Sequence, residues 1–158
     1  MGINVDQLAD LVIRPALFHI ELHSEAAENL VLGTALVESR GEYIKQLGKG
    51  PALGIFQMEP ATARDIWENY LMFNEPLGGL VRGLMTNIVE DNDVEIIGNL
   101  YYAAAMCRIH YRRVPRALPG PSDVEGMAAY WKRFYNTPAG KGTVEKAIPY
   151  FRQACGFD

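Results

Sequence analysis

The stretch EAAENLVLGTALVES, residues 25–39, decides how this chain is read. It is rich in helix formers, sets Leu32, Ala35 and Leu36 on one apolar side, and meets a stop at Gly41. Near its end stands an acid, Glu38, directly after Leu36 and Val37. A second stretch, NLYYAAAMC at 99–107, is apolar nearly all round and belongs at the centre of a core. Two such segments make the chain a mainly α protein, α+β at most.

Other elements fall into place around these two. Leu8, Leu11, Val12, Leu17 and Ile20 mark one or two opening helices, broken or restarted at Pro15. Residues 41–60 contain Gly41, Gly48, Gly50, Pro51 and Gly54, so this part is expected to be loop, with a small hairpin near Gly54–Gln57. Pro60 suits the first turn of a helix through ATARDIWENYLMF. Gly78, Gly79 and Gly83 are expected to loosen the next connection, before Leu80, Val81, Leu84, Met85 and Ile88 recur at helical spacing. Asn92 with Glu95 reads as a capping box for one long helix from Asp93 to about Arg113, and Ser122 with Glu125 as another. The latter helix carries Tyr130, Trp131, Phe134 and Tyr135. Thr143 can cap a last short helix.

The 158 residues fit one domain, 1–158, and their 49% hydrophobic and 22% charged content argues against disorder. The apolar run Leu100–Cys107 is too short to cross a bilayer, and the first residues lack a basic, apolar leader. No membrane insertion and no signal peptide are expected. Cys107 and Cys155 read as a buried thiol and a loose one near the terminus. Net charge is −4, made of −9 over residues 1–107 and +5 over 108–158. The run Arg108, His110, Arg112, Arg113, Arg116 reads as a solvated, basic helix end. A nucleic-acid binder would be basic overall, so no nucleic-acid partner is expected.

Several signatures fail on counting. His19-Ile-Glu21-Leu-His23 has histidines four apart, but its glutamate sits at the middle position, unlike either zinc-protease arrangement. It reads instead as a half-exposed helix face. Ala139-Gly-Lys-Gly-Thr143 lacks the hydroxyl after its lysine and the earlier glycine of a phosphate loop. Neither metal nor cofactor is expected.

Glu38 with the segment GIFQMEPAT (54–62) survives this filter. A carboxyl group against apolar walls has its charged form disfavoured, and its pKa rises. At pH 7 a glutamate of ordinary pKa is protonated roughly 0.2% of the time, and one of pKa about 6 roughly 10%. That tuning suits a general acid for a glycosidic oxygen. A solvent-facing helix glutamate is the structural alternative.

VESRG (37–41), GIFQMEPATA (54–63), the Asn-led helix 99–107 and AAYW (128–131), in that order, resemble the soluble lytic transglycosylases and goose-type lysozymes of the lysozyme-like superfamily. RPAL, AAENLVLGTALVES, QLGKGPALGIFQMEPAT and YNTPAGKGT also look like small phage-encoded proteins presumed to attack the cell wall. The resemblance implies a lysozyme-like fold with a central buried helix and a glycine-rich loop or hairpin. It implies cleavage of the β-1,4 bond between N-acetylmuramic acid and N-acetylglucosamine in peptidoglycan, with Glu38 as acid and base and a 1,6-anhydro product. Ser39 would be its neighbour in the cleft, and Gln57 would bind substrate or order the loop. Tyr130 would hold the carboxyl group. Phe56, Met106 and Trp131 depart from the family's usual methionine, tyrosine and asparagine, and Asn136 is the candidate for the missing amide. Glu59 would be a second carboxylate in the cleft or a cap on the helix from Pro60. The alternatives are a hydrolytic muramidase on the same fold and a non-catalytic virion or wall-binding protein. Glycan strands and other virion proteins are the implied partners. The implied location is a phage virion, or host cytoplasm with release to the periplasm.

Overall fold

The computed structural model describes residues 2–86 and 91–157, and among them the protein is mainly helical, with isolated β-bridges and no longer strand. The first helical segment comprises α1 (Val5–Leu8), a π-helical turn (Ala9–Ile13) and α2 (Arg14–His19). Pro15 lies in the first turn of α2, where its missing N–H is not needed. The wider turn before it lets the Arg14 N–H reach back to Ala9.

Helix α3 (Glu25–Glu38) begins at Ser24, whose hydroxyl accepts from the Ala27 N–H at 3.0 Å. Nearly every residue from Ala27 to Leu36 is buried, because α3 is covered by α7 (Leu100–Arg112), α8 (Val124–Trp131) and α9 (Val144–Ala154). Gly33 is required by the contact with α9: a Cβ there would lie 2.2 Å from the Phe151 ring.

Helix α7 separates two apolar clusters. Ala103, Ala104, Cys107 and Tyr111 join α3, α8, α9 and the opening helices. Tyr102, Ala105, Met106 and Ile109 face a second cluster with Leu53, Met58, α4 (Pro60–Asn69), α5 (Leu77–Arg82) and α6 (Asn92–Gly98). The expected central position of this helix follows from having both faces buried. Burying a side chain of this size stabilises by about 1.5–3 kcal/mol.

The glycine-rich segment carries the expected turn. Leu53 and Met58 exchange backbone hydrogen bonds around residues 54–57, and Leu53 also bridges Lys45. Gly54 has φ +72°, and a Cβ there would lie 2.5 Å from the Ile96 carbonyl, so no other residue fits.

Several boundaries differ from expectation. The helix from Pro60 stops at Asn69 and is followed by a 3-10 turn, Leu71–Phe73. Gly78 and Gly79 lie within α5, which forms because Val81 is buried in the second cluster. Ile88 lies outside the described residues. The single long helix is two, α6 and α7, because Asn99 leaves helical geometry to cap α7 by accepting from the Tyr102 N–H. Asp91 rather than Asn92 caps α6, and the Glu95 carboxylate accepts from the Thr86 N–H and the Asn99 amide. Helix α8 is capped by Asp123 rather than Ser122. Thr143 caps α9 as expected.

The basic run is not a uniformly solvated helix end. Arg108 is buried and donates to the Leu22 carbonyl, while Arg113 pairs with Asp65 at 2.6 Å. His19 and His23 do not share a helix face either, since α2 ends at His19 and Glu21 has φ +60°. His19 contacts the Leu80 carbonyl and His23 the Glu28 carboxylate.

Candidate active site

Glu38 is the last residue of α3, where the helix presents unpaired carbonyls rather than N–H groups. The chain is fixed there by its neighbours. Tyr43 donates to the Glu38 carbonyl at 2.8 Å. The Ser39 hydroxyl donates to the Ile55 carbonyl at 2.6 Å and accepts from the Gly41 N–H. Ser39 is fully buried and lines neither of the two chambers that Glu38 borders, which corrects the expectation that it neighbours Glu38 in a cleft and binds substrate there. It joins the end of α3 to the Gly54–Gln57 turn.

The Glu38 side chain is half-buried, and among the described residues one hydrogen bond reaches its carboxyl: Trp131 Nε1 donates to Oε1 at 2.9 Å. Among the described residues no cation lies within ion-pair distance. Burial raises its pKa to about 7, and the indole bond offsets part of that rise. A neutral hydrogen-bond donor restrains the group without forcing it to ionise.

Two chambers meet at this carboxyl group. The wider, about 610 Å³, is lined by Gln57, Glu59, His110, Tyr135, Asn136 and Lys141 among others. The narrower, about 320 Å³, is lined by Val37, Trp131, Thr143, Lys146 and Tyr150. Glu38, Asn136 and Gly142 border both.

Gln57 lies in the wider chamber with φ +50°, and its amide donates to the Gly54 carbonyl at 2.8 Å, so it orders its own turn. Thr137, which lines the same chamber, has φ +73°. Left-handed backbone is unfavourable for non-glycine residues, and two such residues line this one chamber. Glu59 is exposed in the same chamber. Its backbone occupies the N-cap position of α4, but its side chain makes no capping bond, so the carboxylate is not engaged by the helix. Asn136 borders both chambers and accepts from Lys132 Nζ at 2.8 Å.

Tyr130 is not at the carboxyl group. Its hydroxyl donates to the Arg116 carbonyl at 3.2 Å, and its ring packs on Tyr111 and Phe134. Trp131 takes the position expected of it, because one residue along a helix turns a side chain by about 100°. A π-helical turn, Lys132–Asn136, follows α8 and changes the phase again. It brings Tyr135 over the Gly54–Gln57 turn, where its hydroxyl donates to the Phe56 carbonyl at 2.6 Å.

His110 was legible only as part of a basic run, yet it lines the wider chamber. Burial and then the nearby Arg113 push its pKa down to about 4, so the ring is neutral near pH 7. Arg113 donates to Nδ1 at 3.2 Å, and the ring stands edge-on to Tyr135 with centroids 5.1 Å apart. Its apolar neighbours on α7 were the available sign that position 110 is sheltered. Among the described residues no three His, Cys, Asp or Glu side chains converge as a metal site.

No family model, curated protein sequence or solved structure matches this chain.

Proposed function

We propose that the protein is a peptidoglycan-cleaving enzyme acting on the N-acetylmuramic acid–N-acetylglucosamine β-1,4 bond, as a lytic transglycosylase with Glu38 as its single acid and base. The observation that carries this reading is a sheltered carboxyl group of pKa about 7, restrained by Trp131, where two chambers join. Protonated, Glu38 donates to the leaving oxygen while positive charge grows on the muramic ring. The resulting carboxylate then takes the proton of that ring's 6-hydroxyl, whose oxygen closes on C1 to give the 1,6-anhydro sugar. No net water is consumed.

Proton transfer of this kind contributes roughly 100- to 10,000-fold. Binding of several sugars along the cleft supplies further acceleration. Glu59 favours one second reading: a free carboxylate in the wider chamber is suited to activating water, which would give hydrolysis instead.

Mass analysis of muropeptides released from purified sacculi tests both. Products lighter by one water support the transglycosylase, and reducing-end muramic acid alone supports the muramidase. Absence of soluble products, with a folded protein, would leave a wall-binding or virion role. A cleft enzyme for the wall would work from a phage virion or after release from the host cytoplasm.

A further inference from the structure

One wall of the cleft, from α8 to the first turn of α9, is unusually cationic. Residues 132–146 contain Lys132, Arg133, Lys141 and Lys146 against a single acid, Glu145. Lys141 lines the wider chamber and Lys146 the narrower, so a lysine borders each of the two chambers that Glu38 borders. Both lysines are exposed, and neither has an ion-pair partner among the described residues. Lys132 is committed elsewhere: its ammonium donates to Asn136 and to the Gly140 carbonyl, which braces the loop that presents Lys141.

Lys146 carries its charge at an unfavourable place on its own helix. Its backbone N–H is taken by the Thr143 cap, so it sits in the first turn of α9. A cation at a helix N-terminus opposes the helix dipole. Two unpartnered ammonium groups beside a cleft attract a ligand that brings its own negative charge.

We infer that Lys141 and Lys146 are specificity-determining residues that select glycans carrying carboxylates on the 3-O substituent of muramic acid. This rests on the peptidoglycan reading above and adds what distinguishes the substrate from a neutral amino-sugar chain. The carboxylate has two sources: the peptide stem where one is attached, since the amide to the stem leaves the lactyl group neutral, and the freed lactyl carboxylate where the stem has been removed. A solvent-exposed ion pair is worth about two- to fivefold in affinity, so two together give on the order of tenfold.

Calorimetric titration of the Glu38→Gln protein, which consumes no substrate, separates the cases. The ligands are a stem-bearing muropeptide tetrasaccharide, the same sugars after stem removal by an amidase, and chitotetraose. The stem-bearing ligand is expected to bind about tenfold tighter than chitotetraose at low salt, and the ratio to fall towards one in about 0.3 M NaCl. Adding Lys141→Met and Lys146→Met should abolish the preference, and Lys141→Arg with Lys146→Arg should keep it, with circular dichroism confirming that each variant is folded. A stripped ligand that binds like chitotetraose assigns the recognised charge to the peptide carboxylates, one that binds tighter than the intact ligand assigns it to the freed lactyl carboxylate, and one that binds like the intact ligand shows that the lysines accept either. Equal, salt-insensitive binding of all three, or an undiminished preference in the methionine variant, overturns the inference alone. Binding of none overturns the peptidoglycan reading with it.

Discussion

Helix α3 carries two sheltered glutamates ten residues apart, and they exist in opposite states. Glu28, in the first turn, accepts two hydrogen bonds from Arg14, at 3.0 and 2.7 Å, and one from His23 at 2.8 Å. Those partners outweigh burial and hold its carboxyl below the ordinary range. Glu38, at the other end, has one neutral donor, and burial wins. The helix dipole acts in the same sense, favouring an anion at the first turn and disfavouring one at the last. Burial alone therefore does not make an acid; burial without a cation does. Glu28 locks the opening helices to α3, whereas Glu38 remains able to exchange its proton.

The sharpest way to break this comparison is to neutralise each glutamate in turn. Glu38→Gln should lower wall-cleaving activity by roughly 100- to 10,000-fold in a turbidity assay on permeabilised cells, while circular dichroism shows a folded protein. Equal activity in the two proteins would end the catalytic assignment.

The same variant should gain stability at alkaline pH. The folded-state pKa of Glu38 is about 7 against an ordinary value of 4.5, so folding takes up a proton between those values. The associated stability is complete below pH 4.5 and is lost as pH rises through 7, by on the order of 3 kcal/mol. Glutamine has no such loss. Urea midpoints of wild type and Glu38→Gln, compared from pH 5 to 8.5, should diverge in favour of the variant. Taking the difference between the two curves removes the opposing contribution of His110, whose depressed pKa adds stability as pH rises from about 4 to 6.5.

Glu28→Gln should do the reverse, destabilising by about 2 kcal/mol because Arg14 and His23 lose a charged partner. Activity assayed well below its melting temperature should be retained. A Glu28→Gln protein as stable as wild type would show that the ion cluster contributes nothing net.

Trp131→Phe gives the smallest effect. The lost bond favoured the ionised carboxyl, so the alkaline limb of the kcat/KM profile should move upward by about 0.7 of a pH unit, corresponding to about 1 kcal/mol. An unmoved limb would mean that the indole does not act on the carboxyl group.

Much of the fold was legible. The course of α3 followed from helix formers and the stop at Gly41, and the burial of α7 from an apolar surface on every side. The split at Asn99 was harder to see, because its amide must be paired with Leu84 and Glu95 before a cap outcompetes a continued helix. At the site, Glu38, Gln57, Glu59 and Asn136 were all named from sequence and all line the cleft. Ser39 and Tyr130 were named as well, but are turned into the protein. Whether a hydroxyl faces solvent depends on helix rotation, and one residue or one π-helical turn changes it.

Sequence by itself determined which residues have helical or turning backbones and which acid ends the apolar helix, since those depend on neighbours a few positions away. Tertiary structure alone decided that Trp131 holds that acid, that His110 is sheltered in the same chamber, and that no cation among the described residues pairs with it. These are long-range contacts: the spacing of apolar residues fixes which face of a helix is buried, but not which partner from 93 positions along the chain meets it.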